Sequence, residues 1–170
     1  MGSVREGRFF ADQLSAFTAH ERASVLLLRQ AANLTSRDDL KKKYEQMGRD
    51  TEDHVKACEE LIRDFGGDSS YVSPVARLYE LRDTKTMEEI LLGGSVDVKT
   101  MEMACLECVQ AATSRSHLNW QFLGHLADKL KGGGAKSKLE KVAKNIQPKK
   151  EAQVKWSSDA WERMLADEIV

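Results

Sequence analysis

Residues 40–65 read LKKKYEQMGRDTEDHVKACEELIRDF. Within this stretch Leu40, Tyr44, Met47, Thr51, His54, Cys58, Leu61 and Phe65 recur at alternating steps of four and three, the spacing that lines one face of an α-helix. Most of the charged residues between them fall on the other faces. The stretch therefore predicts a long amphipathic helix whose apolar stripe is the seam of a helical bundle. Two members of that stripe, Thr51 and His54, are polar. Polar groups inside a core are costly unless something satisfies them, so the seam demands partners from a neighbouring helix.

The preceding helix, expected from about Phe9 to Asn33, carries the stripe Phe10, Leu14, Phe17, Glu21, Ser24, Leu28 and Ala31. Glu21 stands where the spacing calls for an apolar residue. Ser36, with Asp39 three residues on, is a capping signal for the start of the next helix, so the connection is short and the two helices must be antiparallel neighbours. Glu21 and His54 each lie roughly fifteen residues from that turn, which sets them at one height. A carboxylate and an imidazole facing each other across a hairpin is the arrangement from which helical bundles build internal metal sites.

Working outward, 170 residues suffice for one well-filled core, and the chain is read as a single domain over 1–170. Few prolines, clustered glycines and little strand alternation predict an all-α fold. Gly66-Gly67 closes the second helix. A crossover of residues 67–97 follows, with two short helical pieces. One opens at Ser73-Pro74 and runs to about Leu81; the other has a Thr86/Glu89 capping box and ends at Gly93-Gly94. A third long helix is expected from about Asp97 to Leu130, then a turn through Gly132-Gly133-Gly134. A fourth, boxed by Ser137 and Glu140, should continue to about Ile169. Pro148 lies inside it and is expected to kink or break it, with Leu139, Val142 and Ile146 inward before it and Glu151, Val154, Ser158, Trp161 and Leu165 inward after it.

The stretch Asp50-Thr51-Glu52-Asp53-His54-Val55, followed by Glu60-Leu61-Ile62-Arg63-Asp64-Phe65-Gly66-Gly67, resembles the second helix of the ferritin-like superfamily, especially its rubrerythrin branch. The likeness extends over nearly the whole chain in the order hairpin, long crossover, hairpin. It implies a ferritin-like four-helix bundle. In that family, glutamates on the first and third helices and Glu-x-x-His pairs on the second and fourth hold two irons. Residues three apart share a helical face, and carboxylate with imidazole suits iron, manganese or zinc. Carried over by position, the resemblance assigns Glu21, His54 and Glu151 as metal ligands. Thr51 and Val154 stand at lost ligand positions. On the third helix no acid lies at the level of Glu21, near Thr113 to Ser116, and Glu107 is the nearest inward candidate. A full di-iron centre is not expected.

The functional expectation is a ferritin-like bundle with a degenerate metal site, serving as a non-enzymatic binding or structural module and able to pair as a homodimer. The alternative is a protein with a single iron, manganese or zinc ion, or an oxidoreductase of rubrerythrin or ferritin type acting on oxygen or peroxide through a reduced site. Composition points elsewhere only weakly. The net charge of −1 predicts no general affinity for nucleic acid, but nine lysines between Lys129 and Lys155 form a basic stretch that could dock an acidic partner. No apolar run is long enough to span a membrane, and no signal-peptide core is evident, so a cytoplasmic location is expected. Cys58, Cys105 and Cys108 read as reduced thiols.

Overall fold

The computed structural model describes residues 4–92, 96–130 and 132–167. These residues are all-helical: α1 (Val4–Leu34), α2 (Asp38–Asp64), α3 (Pro74–Leu92), α4 (Val98–Lys129) and α5 (Gly134–Ala166). The expected stop at Gly93-Gly94, Lys131 of the basic stretch and the expected helix end at Ile169 lie outside the described residues. No described helix is long and apolar enough to cross a membrane.

Side-chain contacts fix the directions. Phe10 stacks on Phe65 at 4.9 Å between ring centroids, so α1 and α2 are antiparallel about their short turn. Gln147 Nε2 donates to the Trp120 carbonyl at 2.9 Å, and Thr113 faces Ser157, which makes α4 and α5 a second antiparallel hairpin. Across the hairpins, Phe17 meets Phe122 and Thr35 meets Glu102, so α4 runs against α1. Tyr44 against Trp156, with Lys138 bonded to Asp64, sets α5 against α2. α3 packs on the outer side of α1 and runs parallel to it, with Ala76 against Ala16 and Ala19 and Asp83 reaching His20. It thus carries the chain from the Phe65 end to the Leu34 end, where α4 begins.

The apolar core is divided. One cluster, around Leu28, Tyr44, Met47, Leu106, Val109 and Met164, fills the end next to the α1–α2 turn. The other, around Leu14, Phe17, Leu61, Trp120, Leu123 and Leu139, fills the opposite end. Between them lies a buried polar layer of Glu21, Thr51, His54, Thr113, Ser116, Lys150 and Gln153.

Three local expectations are corrected. The crossover holds one continuous helix rather than two pieces: residues 82–85 contain no breaker, and the Thr86 hydroxyl donates to the Arg82 carbonyl one turn back instead of capping a new helix. The residue at the N-cap of α2 is Arg37, whose side chain makes no capping bond. The turn is instead held from α4: Glu102 Oε1 accepts from the Ser36 backbone N–H (2.6 Å), the Ser36 hydroxyl (3.0 Å) and the Thr35 hydroxyl (2.8 Å). Burial would raise the Glu102 carboxyl, but these donors outweigh it and hold it below the usual carboxylate range. The end of α2 does follow the sequence, for Gly66 adopts φ +77°, Gly66 N–H bonds the Arg63 carbonyl and Gly67 N–H the Ile62 carbonyl, a Schellman stop.

The third correction concerns α5, which runs unbroken through Pro148. Its buried residues are Leu139, Ala143, Ile146, Lys150, Gln153, Ser157, Ala160 and Met164, one stripe at steps of four and three with no change of phase. Pro148 lacks an N–H and cannot bond the Lys144 carbonyl, but both residues are on the exposed face, where water can meet that carbonyl.

Candidate functional site

The polar layer is organised around Glu21. Its place in the α1 stripe points the carboxylate into the bundle, where the residue is fully buried. α4 supplies two donors one turn apart: the Ser116 hydroxyl and Trp120 Nε1 (3.1 Å) both donate to Oε1. α5 supplies the Lys150 ammonium, which donates to Oε2 at 2.9 Å with both side chains only 1% exposed. α2 supplies His54, whose Nδ1 lies 3.8 Å from Oε2. Four helices thus contribute to one carboxylate.

The electrostatics follow from these distances. Burial alone would push the Glu21 carboxyl up, but the Lys150 ammonium, then His54, reverse this and hold it well below its ordinary value. For His54 burial dominates and lowers the imidazole below its ordinary 6.5, an effect the adjoining Lys150 charge reinforces against the opposing pull of Glu21. His54 is therefore neutral at physiological pH. Neither of its ring nitrogens finds a hydrogen bond in the structure, and the ring sits edge-on to Trp120 at 6.0 Å. Both polar atoms of the Gln153 side chain are likewise buried without partners. A void of about 10 Å³ adjoins Thr51, Thr113, Ser116 and Lys150, but Leu27, Leu28, Val109 and Ala112 supply most of its wall, so it is an apolar gap rather than a water site.

The structure brings together only part of the ligand set expected from sequence. Glu21 and His54 converge, as the shared height in the hairpin requires. Glu151 does not join them: it is exposed, and the inward position of that turn belongs to Lys150. The physical reason is the unbroken stripe, in which Lys150 is four residues after Ile146 and three before Gln153; reading a lysine as solvent-facing shifts the phase by one residue and turns Glu151 inward. Glu107 is also exposed, being flanked on α4 by the buried Leu106 and Val109, which take the inward positions. Thr51 is buried with its hydroxyl bonded to the Met47 carbonyl at 2.7 Å, and Val154 is half-buried.

These residues do not fit a metal centre. Among the described residues no three His, Cys, Asp or Glu side chains converge on one position. At Glu21 itself, the carboxylate oxygen that faces His54 already holds an ammonium. A divalent ion there would have to displace Lys150 and leave its charge buried beside the metal. His20, next to Glu21 in sequence, points the other way: its Nδ1 lies 2.7 Å from Asp83 of α3 and its Nε2 3.0 Å from the Ala112 carbonyl of α4. The three cysteines are free thiols.

The basic stretch also changes character. Lys150 is inside, Lys138 pairs with Asp64 at 2.7 Å, Lys155 with Asp159 at 3.0 Å, and Lys136 donates to the Leu130 carbonyl. Lys141, Lys144 and Lys149 remain as exposed residues of α5. Comparison with known proteins adds no relative: no family model, no curated protein and no solved structure matches the chain.

Proposed function

We propose that the chain is a ferritin-like helical bundle in which the Glu21–Lys150 ion pair takes the place of a metal centre, and that it acts as a non-enzymatic binding module. The observation that carries this reading is the Lys150 ammonium 2.9 Å from Glu21 Oε2, deep in the layer where bundles of that family hold their ions. The succession of antiparallel hairpin, crossover helix and antiparallel hairpin supports the fold assignment. A lysine at this point supplies one fixed positive charge without an open coordination position, so it can neutralise a carboxylate but cannot bind oxygen or peroxide. The oxidoreductase reading would need that open position beside Glu21. A binding role is favoured over a purely structural one by a cavity of about 290 Å³ outside the polar layer, between α1, α3 and α4.

The test is metal uptake. Protein prepared without chelator and titrated with ferrous iron, manganese or zinc is expected to take up no stoichiometric ion at Glu21. One ion per chain, lost in both Glu21→Gln and His54→Ala, overturns the reading.

A further inference from the structure

The cavity between α1, α3 and α4 has a definite polarity. α3 and α4 run in opposite directions along it, so that Arg82 of α3 and Arg115 of α4 stand at one end, while Met87 of α3 and Cys108 of α4 stand at the other beside Leu27 of α1. Cys108 and Arg115 are seven residues apart on one helix, a separation of about 10 Å. The wall between them is made of small and apolar groups, chiefly Ala23 and Ala112.

The charges at the basic end are unevenly matched. Asp83 is shared between His20 and Arg82: its Oδ2 lies 2.7 Å from His20 Nδ1, and its Oδ1 accepts from Arg82 Nη2 at 2.9 Å. The other nitrogen of the buried His20 ring, Nε2, lies 3.0 Å from the Ala112 carbonyl. One carboxylate thus already serves both His20 and Arg82. Arg115 has no carboxylate partner among the described residues; its guanidinium packs over the Tyr79 ring at 5.0 Å and donates to the Tyr79 hydroxyl, while its Nε is buried with no acceptor. At the far end, burial first and then the charges of Glu107 and Glu89 raise the Cys108 thiol, so that end repels an anion.

We propose that this cavity binds a small apolar monocarboxylate, with its carboxylate on Arg115 and its tail running toward Met87 and Cys108. The separation of about 10 Å between Arg115 and Cys108 matches the length of a carboxylate on a straight chain of about eight carbons, and the cavity of about 290 Å³ is large enough to hold it. The Arg115 guanidinium, which lines the cavity and has no carboxylate partner among the described residues, supplies a charge-assisted bond, and the tail replaces water along an apolar wall. This inference deepens the reading of the chain as a binding module and rests on it; metal uptake at Glu21 would overturn that reading without altering the outcome described next.

Cys108 is the natural reporter, since Cys58 and Cys105 are buried and Cys108 is only half-buried on the cavity wall. The experiment measures the rate of maleimide labelling at Cys108, located by peptide mass, with octanoate, octanol, acetate or inorganic phosphate present. Octanoate is expected to slow labelling at least about tenfold, at a concentration about tenfold lower than octanol needs, the ratio that one charge-assisted hydrogen bond supplies. Arg115→Gln should remove the preference for the acid over the alcohol while both still protect. Ala112→Leu, which fills the cavity, should abolish protection by either. Helical circular dichroism of each variant establishes that it is folded. Equal protection by octanoate and octanol in the wild-type protein, protection by phosphate or acetate to the same degree, or no protection by octanoate overturns the proposal.

Discussion

Replacing Lys150 with methionine tests the central ion pair directly, because methionine keeps much of the length of the side chain and removes only the charge and its donors. The Nζ–Oε2 distance of 2.9 Å corresponds to an attraction of about 6 kcal/mol at an effective dielectric of about 20. Desolvation of both ions offsets most of this, so the intact pair contributes little net stability. Breaking it is another matter: Glu21 keeps its burial and its bonds to Ser116 and Trp120 but loses its counter-charge. The expected cost is about 3–5 kcal/mol, measured by urea unfolding followed through helical circular dichroism near neutral pH. In a chain of this length that lowers the melting temperature by about 10 °C or more. The pH dependence identifies the cause. In the wild-type protein the folded Glu21 carboxyl lies below its ordinary 4.5, so its contribution is present above 4.5 and is lost as pH falls through the folded value. Without Lys150, burial dominates and the folded carboxyl rises above 4.5; His54, freed from the ammonium, moves up as well. Groups shifted upward stabilise at low pH and lose that contribution as pH rises. The gap between wild type and Lys150→Met should therefore be widest at about pH 8 and narrow toward about pH 5. In a double-mutant cycle, adding Glu21→Gln to Lys150→Met should restore about 2–3 kcal/mol, since no charge then remains unpaired. A cost below about 1 kcal/mol, typical of a surface pair, or a gap that does not change with pH, would refute the reasoning.

Two further outcomes follow from individual side chains. His54→Leu removes two ring nitrogens that have no partners, so stability near neutral pH should change by no more than about 1 kcal/mol. Because the folded imidazole lies below 6.5, the wild-type protein loses stability as pH falls below that value and the variant escapes this loss; parallel urea midpoints for the two proteins from about pH 7 to pH 5.5 would count against a buried neutral His54. Glu102→Ala removes the acceptor for three donors of the α1–α2 turn and should cost about 1–3 kcal/mol, with faster amide exchange at Ser36 than in wild type; unchanged protection of that amide would show that the turn does not depend on α4.

The long helices and their directions were legible because periodicity is a strong signal over twenty-five residues or so: the α2 stripe from Leu40 to Leu61 is the buried face it promised, and the Gly66-Gly67 stop is where the sequence puts it. The convergence of Glu21 and His54 was equally legible, since a short turn between antiparallel helices leaves little freedom of register. What was hidden depends on contacts distant in sequence. A lysine's preference for water gave no sign that Lys150 points inward, and only the continuity of the α5 stripe through Pro148 carried that information. The Ser36/Asp39 box looked sufficient by itself, yet the actual acceptor, Glu102, arrives from a helix more than sixty residues later. His20 and Asp83 meet only because α3 runs parallel to α1, a placement that no local pattern records.

The polar layer also bears on why the fold has one register. Two apolar clusters stacked end to end would tolerate sliding of one helix past another, because Leu, Val and Met exchange places at small cost. A charge pair fixed between them does not. Sliding α5 by one turn relative to α1 would move the Lys150 ammonium into the environment of Leu28 and Met47 or of Leu14 and Leu61, and leave Glu21 without a counter-charge, a double penalty of several kcal/mol. Ser116 and Trp120 apply the same constraint to α4, since both must reach one carboxylate oxygen. The layer thus sacrifices apolar burial at the middle of the bundle and gains a single arrangement of α1, α4 and α5.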